Sequence, residues 1–184
     1  MEHIRVSYDG GLAELNTHLV KNAVLVGILN QVLSAEEQAN LINAASLAQE
    51  RRIEVTELRS PRRAAFSNSL GIGLKTASED VSVLGMVGLK NTPRLLGLND
   101  IDIEAPLHGT MLYIQNQDVP GVIGAVGTVL GNHSINIASF ALGRNSESRQ
   151  AIGLINVDNP IPAPVLAEIK GVAAVRQARV VQMR

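Results

Sequence analysis

Residues 113–139 read YIQNQDVPGVIGAVGTVLGNHSINIAS, and this stretch decides the fold of the C-terminal part of the chain. It opens as a strand, turns at Asp-x-Pro-Gly, runs into a helix and returns as a strand. Val122, Ile123, Val126, Val129 and Leu130 recur at helical spacing and give the helix an apolar face. Pro120 suits a first helical turn, where its missing N–H is no loss, and Gly131-Asn132 reads as the stop. The expected elements are strand 110–115, helix 119–132 and strand 135–143, then strand 150–157, helix 162–170 and strand 172–181. That order is βαββαβ, a ferredoxin-like unit.

Upstream of Ala105-Pro106-Leu107-His108-Gly109 the pattern is different. Ile4, Val6 and Tyr8 alternate as a strand, and Asp9-Gly10-Gly11 turns the chain. A helix is predicted from Leu12 to Leu29 on the stripe Leu12, Leu15, Leu19, Ala23, Val24 and Ile28. Ser34-Ala35-Glu36-Glu37 has the capping-box pattern and predicts a second helix carrying Leu41, Ile42, Ala45 and Ala48 to Arg51-Arg52. Strands are expected at 53–58, 64–75 and 81–89, with a loop at 60–63 and a small hairpin around Asn99-Asp100. The fold class is α+β in two domains, an α/β domain over 1–107 followed by the βαββαβ domain over 108–184.

Composition narrows the function. The 184 residues are 46% hydrophobic and 18% charged, enough apolar surface for a core. The net charge is −1, a poor match to nucleic-acid phosphates, and 2% aromatic content offers no stacking surface. With no Cys, thiolate catalysis and thiolate metal sites drop out. No apolar run approaches the ~20 residues of a membrane helix, and Met1-Glu2-His3 opens no signal peptide, so a cytoplasmic chain is expected. His3, His18, His108 and His133 form no metal-ligand spacing. Gly71-Ile72-Gly73 reads as a glycine-containing strand, not a dinucleotide loop, and Gly121, Gly124 and Gly127 as a smooth helix face. No catalytic residue, metal site or cofactor site is expected in this chain.

One binding site is. The start of the helix after Pro120 leaves amide groups without partners at the positive end of the dipole, beside Gly121 and Val122. That suits a carboxylate-sized anion. Asp118 stands next to it with the opposite charge, so a zwitterionic amino acid matches both ends. Asn116 and Asn136 flank the segment and can donate and accept. The plainer reading makes Asp118 a helix cap and Asn136 a turn residue, and local pattern leaves both open.

Asn116-Gln-Asp118-Val-Pro120-Gly121-Val and Ile135-Asn136-Ile-Ala-Ser-Phe-Ala-Leu-Gly143-Arg144 resemble an ACT domain. Val6-Ser-Tyr-Asp-Gly-Gly-Leu-Ala-Glu-Leu15, Asn40-Leu-Ile-Asn-Ala-Ala45, Ala48-Gln-Glu-Arg-Arg-Ile-Glu-Val55 and Asn91-Thr-Pro-Arg-Leu95 resemble the intervening domain that precedes ACT in long-form D-3-phosphoglycerate dehydrogenases of L-serine synthesis. The resemblance covers essentially the whole chain. It implies an intervening, allosteric substrate-binding-like domain at 1–107 and an ACT domain at 108–184.

It also implies a regulatory fragment without dehydrogenase activity. The parent chain's catalytic domains, and the NAD they use, would lie before Met1. ACT domains of the family pair side by side as homo-oligomers with L-serine at the seam. By motif position Asp118 would hold the ammonium and the amides from Val119 through Pro120 and Gly121 to Val122 would face the carboxylate. Asn136 would come from the partner subunit and Asn116 would line the pocket. Some relatives hold a second anion site, for which Arg94 is the candidate here, but the companion positions Pro106 and Asn156 carry no charge. Three alternatives stand beside this reading. One is an oligomerisation module without effector. Another is a sensor of a different amino acid. The third is the β subunit of an L-serine dehydratase, whose Ser-Ser-His-Thr stretch is missing.

Overall fold

The computed structural model describes residues 1–34, 36–61 and 68–183. Two compact units divide at Val87/Gly88. The loop and strand start expected at 62–67 lie outside the described residues.

In the first unit, strands β1 (His3–Gly10), β2 (Glu54–Ser60), β3 (Asn68–Lys75) and β4 (Asp80–Val87) lie in the order β2-β1-β3-β4. β1 runs parallel to β2 and antiparallel to β3. A parallel pair needs a long crossover, and helices α1 (His18–Leu29) and α2 (Ala44–Glu50) supply it. The alternation of β1 puts Ile4, Val6 and Tyr8 on one fully buried face, packed with Val24, Leu25 and Leu29 of α1 and Ala44 and Ala48 of α2. Gly71 and Gly73 lie within β3, as a strand rather than a loop.

Both predicted helix starts are corrected. Instead of opening a helix at Leu12, the chain makes one 3₁₀ turn over Gly11–Glu14, and α1 begins at His18. Asn side chains intercept the backbone here: the Leu12 amide donates to Asn68 Oδ1 and the His18 amide to Asn16 Oδ1, each at 3.1 Å. Leu15 and Leu19 are left exposed. Ser34 opens no helix, and Glu37 turns instead to Arg51. The amides of Ile42 and Asn43 donate to Asn40 Oδ1 at 2.9 and 3.0 Å, which delays α2 to Ala44. Its buried residues are Ala44 and Ala48, while Leu41 and Ile42 are exposed.

A polar cluster closes this unit where α1 meets β2. Glu57 accepts hydrogen bonds from Tyr8 Oη (3.1 Å), Thr17 Oγ1 (3.4 Å) and Lys21 Nζ (2.9 Å). Arg59 donates to Thr17 Oγ1 at 2.6 Å and its guanidinium lies 5.7 Å from the Tyr8 ring centroid. Burial pushes the Glu57 carboxyl up, but the hydrogen bonds from Lys21 and Tyr8 and the charges of Lys21 and Arg59 outweigh it and hold the group below the ordinary glutamate range. A lowered carboxylate contributes stability that is complete above its unfolded pKa and is lost as pH falls through the lower folded value. Glu57→Gln is therefore expected to cost about 1 kcal/mol at neutral pH and to flatten the acid limb of the stability curve. Thermal melts of both proteins from neutral to acid pH measure this.

The second unit begins with a hairpin, β5 (Pro93–Leu98) and β6 (Ile101–Pro106). Asn99 takes the left-handed conformation its turn requires (φ 53°). Strands β7 (Thr110–Gln117), β8 (Ile137–Asn145), β9 (Gln150–Val157) and β10 (Val175–Gln182) form an antiparallel sheet in the order β10-β7-β9-β8. Helices α3 (Val122–Asn132) and α4 (Ala163–Lys170) complete the ferredoxin-like βαββαβ order. The β5–β6 hairpin packs on β8 within this unit. Leu112, Ile114, Val126, Leu130, Ile155 and Ile169 are the buried centre of the core.

α3 departs from expectation at its start. Gly121 is the N-cap in a left-handed conformation (φ 92°), so Pro120 stands before the cap and not in the first turn. The helix ends in a Schellman motif, with the Ile135 amide bonded to the Leu130 carbonyl (2.9 Å) and the Ser134 amide to the Gly131 carbonyl (2.9 Å). Ser134 occupies the left-handed position usually held by Gly (φ 56°). His133 Nε2, 2.7 Å from Glu168, ties this end to α4.

Candidate functional site

The start of α3 borders a cavity of about 250 Å³. Five of the expected site residues line it: Asn116, Asp118, Val119, Pro120 and Gly121. Each is there for a local reason. Asn116 lies near the end of β7, on the buried face of the strand. The turn that follows carries Asp118 out to the rim, where its amide donates to the Arg149 carbonyl at 3.0 Å. Gly121 supplies the positive φ at the N-cap of α3.

Asn116 is 2% exposed. Its amide nitrogen donates to the Gln117 carbonyl at 2.6 Å, while its Oδ1 has no partner among the described residues. A buried acceptor without a donor costs about 1–3 kcal/mol. At the helix start no side chain caps α3, and its first-turn amides have no intrahelical acceptor. The Val119 amide, expected to face an anion, is already committed to the Gln117 carbonyl at 2.9 Å. Pro120 has no N–H. Among the expected amides this leaves Gly121 and Val122.

Two expected residues are not at the cavity wall. The Val122 side chain is buried in the core beneath the helix. Asn136 is exposed and donates through Nδ2 to Asp158 Oδ2 at 2.6 Å. Arg94 is ion-paired with Glu104 at 2.9 Å. Asn156, one of its expected companions, is buried and fully occupied: it accepts from Ser139 Oγ at 2.7 Å and donates to the His108 carbonyl at 2.8 Å.

Sequence reasoning missed Ile123, Leu142, Arg144 and Ala151, which form the rest of the wall. Arg144 is the important one. Its Nε and Nη2 both reach Asp118 Oδ2, at 2.8 and 2.7 Å, and the hydrogen bond it donates to this carboxylate raises the guanidinium pKa. A wider groove of about 420 Å³ in the first unit is bordered by Lys21, Arg52 and Glu57, but Lys21 and Glu57 already satisfy each other. Among the described residues no cluster of three or more His, Asp or Glu could hold a metal, and no helix is long and apolar enough to cross a membrane.

The comparisons with known proteins agree with this architecture. Residues 1–99 match the model of the D-3-phosphoglycerate dehydrogenase intervening domain, more than half of the 184 residues. The chain belongs to this family. Residues 110–174 match the ACT domain model, and they contain β7, α3 and the cavity. The whole chain aligns with D-3-phosphoglycerate dehydrogenase of Synechocystis at 32% identity, covering 33% of that protein. It aligns with the enzyme of Methanocaldococcus jannaschii at 30% identity, covering 34%, and with that of Bacillus subtilis at 26%, also covering 34%. The chain thus spans about a third of the length of these curated relatives. The ACT domain is the part that holds the Asn116–Asp118 cavity.

Proposed function

We propose that this chain is the regulatory and oligomerisation region of a cytoplasmic D-3-phosphoglycerate dehydrogenase of L-serine synthesis. Its parts are an intervening domain over 1–107 and an ACT domain over 108–184. L-Serine is its effector, bound where two ACT domains meet. The dehydrogenase chemistry and its NAD belong to catalytic domains of the parent chain. The observation that supports the reading is one cavity lined by Asn116, whose buried Oδ1 has no partner among the described residues, by Asp118 and by the start of α3. One side of that cavity accepts an ammonium group and the other donates to a carboxylate.

The seam in this reading is β8, an edge strand of the sheet. Ile137, Phe140 and Leu142 on it are exposed, as is Val119 beside the cavity. An edge strand with large apolar side chains is a template for pairing, and a second copy would bring its own Asn136 to the cavity mouth. Serine then favours one docking arrangement of the pair over another, with a coupling of about 1–3 kcal/mol. Arg94 has no part in this reading, because Glu104 already neutralises it.

Calorimetric titration with L-serine, with D-serine and glycine as controls, tests the reading on a sample whose dimerisation is followed by sedimentation. L-Serine is expected to bind saturably. Asp118→Ala is expected to weaken it about 10- to 100-fold, the loss of one charge-assisted hydrogen bond. Absence of binding by a folded dimer would favour a module that only holds subunits together.

A further inference from the structure

Asp118 does not wait empty. Arg144, at the far end of β8, spends two donors on the single oxygen Oδ2 of Asp118. The Asp118 side chain is 22% exposed and that of Arg144 64%. The carboxylate is therefore part of the cavity wall, and the guanidinium lies over it from the solvent side. A guanidinium has five N–H donors, so the remaining ones are free to turn to another anion. Asn116 lines the cavity, and its buried Oδ1 has no donor among the described residues. The mouth carries one cation and one anion that satisfy each other.

Consider what each class of small ligand does to this pair. A simple amine can take Asp118 only by displacing Arg144, and it offers the displaced guanidinium nothing. A simple carboxylate can take Arg144 but leaves its own charge beside an unpaired Asp118. A zwitterion replaces one ion pair with two, its ammonium on Asp118 and Asn116 Oδ1, its carboxylate on Arg144 and the first amides of α3. Only the third exchange leaves no charge unpaired, and unpaired charges at a partly buried site are the expensive outcome.

We propose that Arg144 is the charge-selectivity residue of this cavity: by occupying Asp118 in the free protein and pairing with the ligand carboxylate in the bound one, it admits α-amino acids and excludes amines and carboxylates of the same size. This rests on the effector reading above and adds to it a residue and a rule of selection. The rule concerns charge class, and the side chain of the amino acid is read elsewhere in the cavity.

The test uses the whole chain and three probes: L-serine, ethanolamine (serine without its carboxylate) and 3-hydroxypropionate (serine without its ammonium). Affinities are measured by calorimetry, and by competition against L-serine where binding is weak. For the unaltered chain, L-serine binds and the other two compete poorly. In Arg144→Ala, L-serine is expected to weaken about tenfold or more while ethanolamine holds or gains. The serine-to-ethanolamine preference then falls at least tenfold, and Arg144→Lys, which keeps the charge, restores part of it. The melting temperature should not move, because Arg144 is mostly in solvent. A preference unchanged within threefold in Arg144→Ala, or a folded variant that binds neither ligand, overturns the role of Arg144 while leaving serine binding by the unaltered chain intact. If the unaltered chain binds no amino acid, the effector reading fails and this proposal with it.

Discussion

Gly143→Val is expected to destabilise the second unit where β6 meets β8. A Cβ at Gly143 would lie 2.5 Å from Ile101 Cγ2, 2.6 Å from the Asp102 carbonyl oxygen and 3.0 Å from Ile103 Cβ. Two of these atoms are side-chain atoms of buried residues, and the third is backbone. A flexible side-chain tip could retreat, but a strand carbonyl moves only if the strand moves. Forcing extra carbon into a packed site costs about 1–3 kcal/mol, and valine, with two further carbons to place, should reach or exceed the top of that range. The strand to give way is β6, which packs against β8 at this point. Gly153 is the control. Its added Cβ would lie 3.7 Å from Phe140 and 3.9 Å from Ile114, ordinary contact distances, so Gly153→Ala should be close to neutral. Chemical denaturation of the two variants should separate them, and hydrogen exchange should place the Gly143→Val loss first in the β5–β6 hairpin.

Leu130→Ala is expected to remove about 2–5 kcal/mol, the range of buried leucine truncations that leave a cavity. Leu130 is fully buried among Leu112, Ile114, Val126 and Ile169. Its carbonyl also accepts the Ile135 amide that closes the helix stop. The truncation therefore loosens both the packing of α3 and its C-terminal anchor. The consequence reaches the cavity at the other end of the helix, because the orientation of the first-turn amides depends on how α3 sits on the sheet. L-Serine affinity should fall along with stability in Leu130→Ala. In Asp118→Ala it should fall with the fold unchanged. Denaturant unfolding read beside calorimetry distinguishes the two.

The second unit was the more legible half of the sequence. The spacing of Val122, Val126, Val129 and Leu130 fixes a helix whatever surrounds it, and all four are buried. The alternating strands on either side followed from the same logic. What could not be read was the exact helix start, because Gly121 at positive φ and Pro120 before it look the same in sequence as a proline inside the first turn. In the first unit the errors share a cause. Asn16, Asn40 and Asn68 hydrogen-bond to amides that the apolar stripes predicted to be helical, and a periodicity argument weighs hydrophobic positions without seeing this competition.

The candidate site divides the same way. Asn116 and Asp118 lie on the segment that enters the helix, so their convergence with Gly121 was readable from one stretch of chain. Arg144 stands in the sequence as the last residue of the second ACT-like stretch. Its place over Asp118 depends on the pairing of β8 with β9, which sets Arg144 opposite Ala151, another residue of the cavity wall. Nothing local to Arg144 announces that register.

The position of β1 at the interior of its sheet has a consequence for how the chain acquires its structure during synthesis. β1 leaves the ribosome before either of its neighbours, and its partners are distant in sequence: His3 lies opposite Glu54 on one side and Lys75 on the other. Until β2 and β3 have emerged, the Ile4-Val6-Tyr8 face has no sheet to complete, although α1 can already cover it. Long-range pairing of this kind is slow because loop closure precedes any reward. The nascent chain therefore carries β1 unpaired at least until the residues around Glu54 are made. Chaperone demand during translation should accordingly fall on the first strand, and be relieved when β3 arrives.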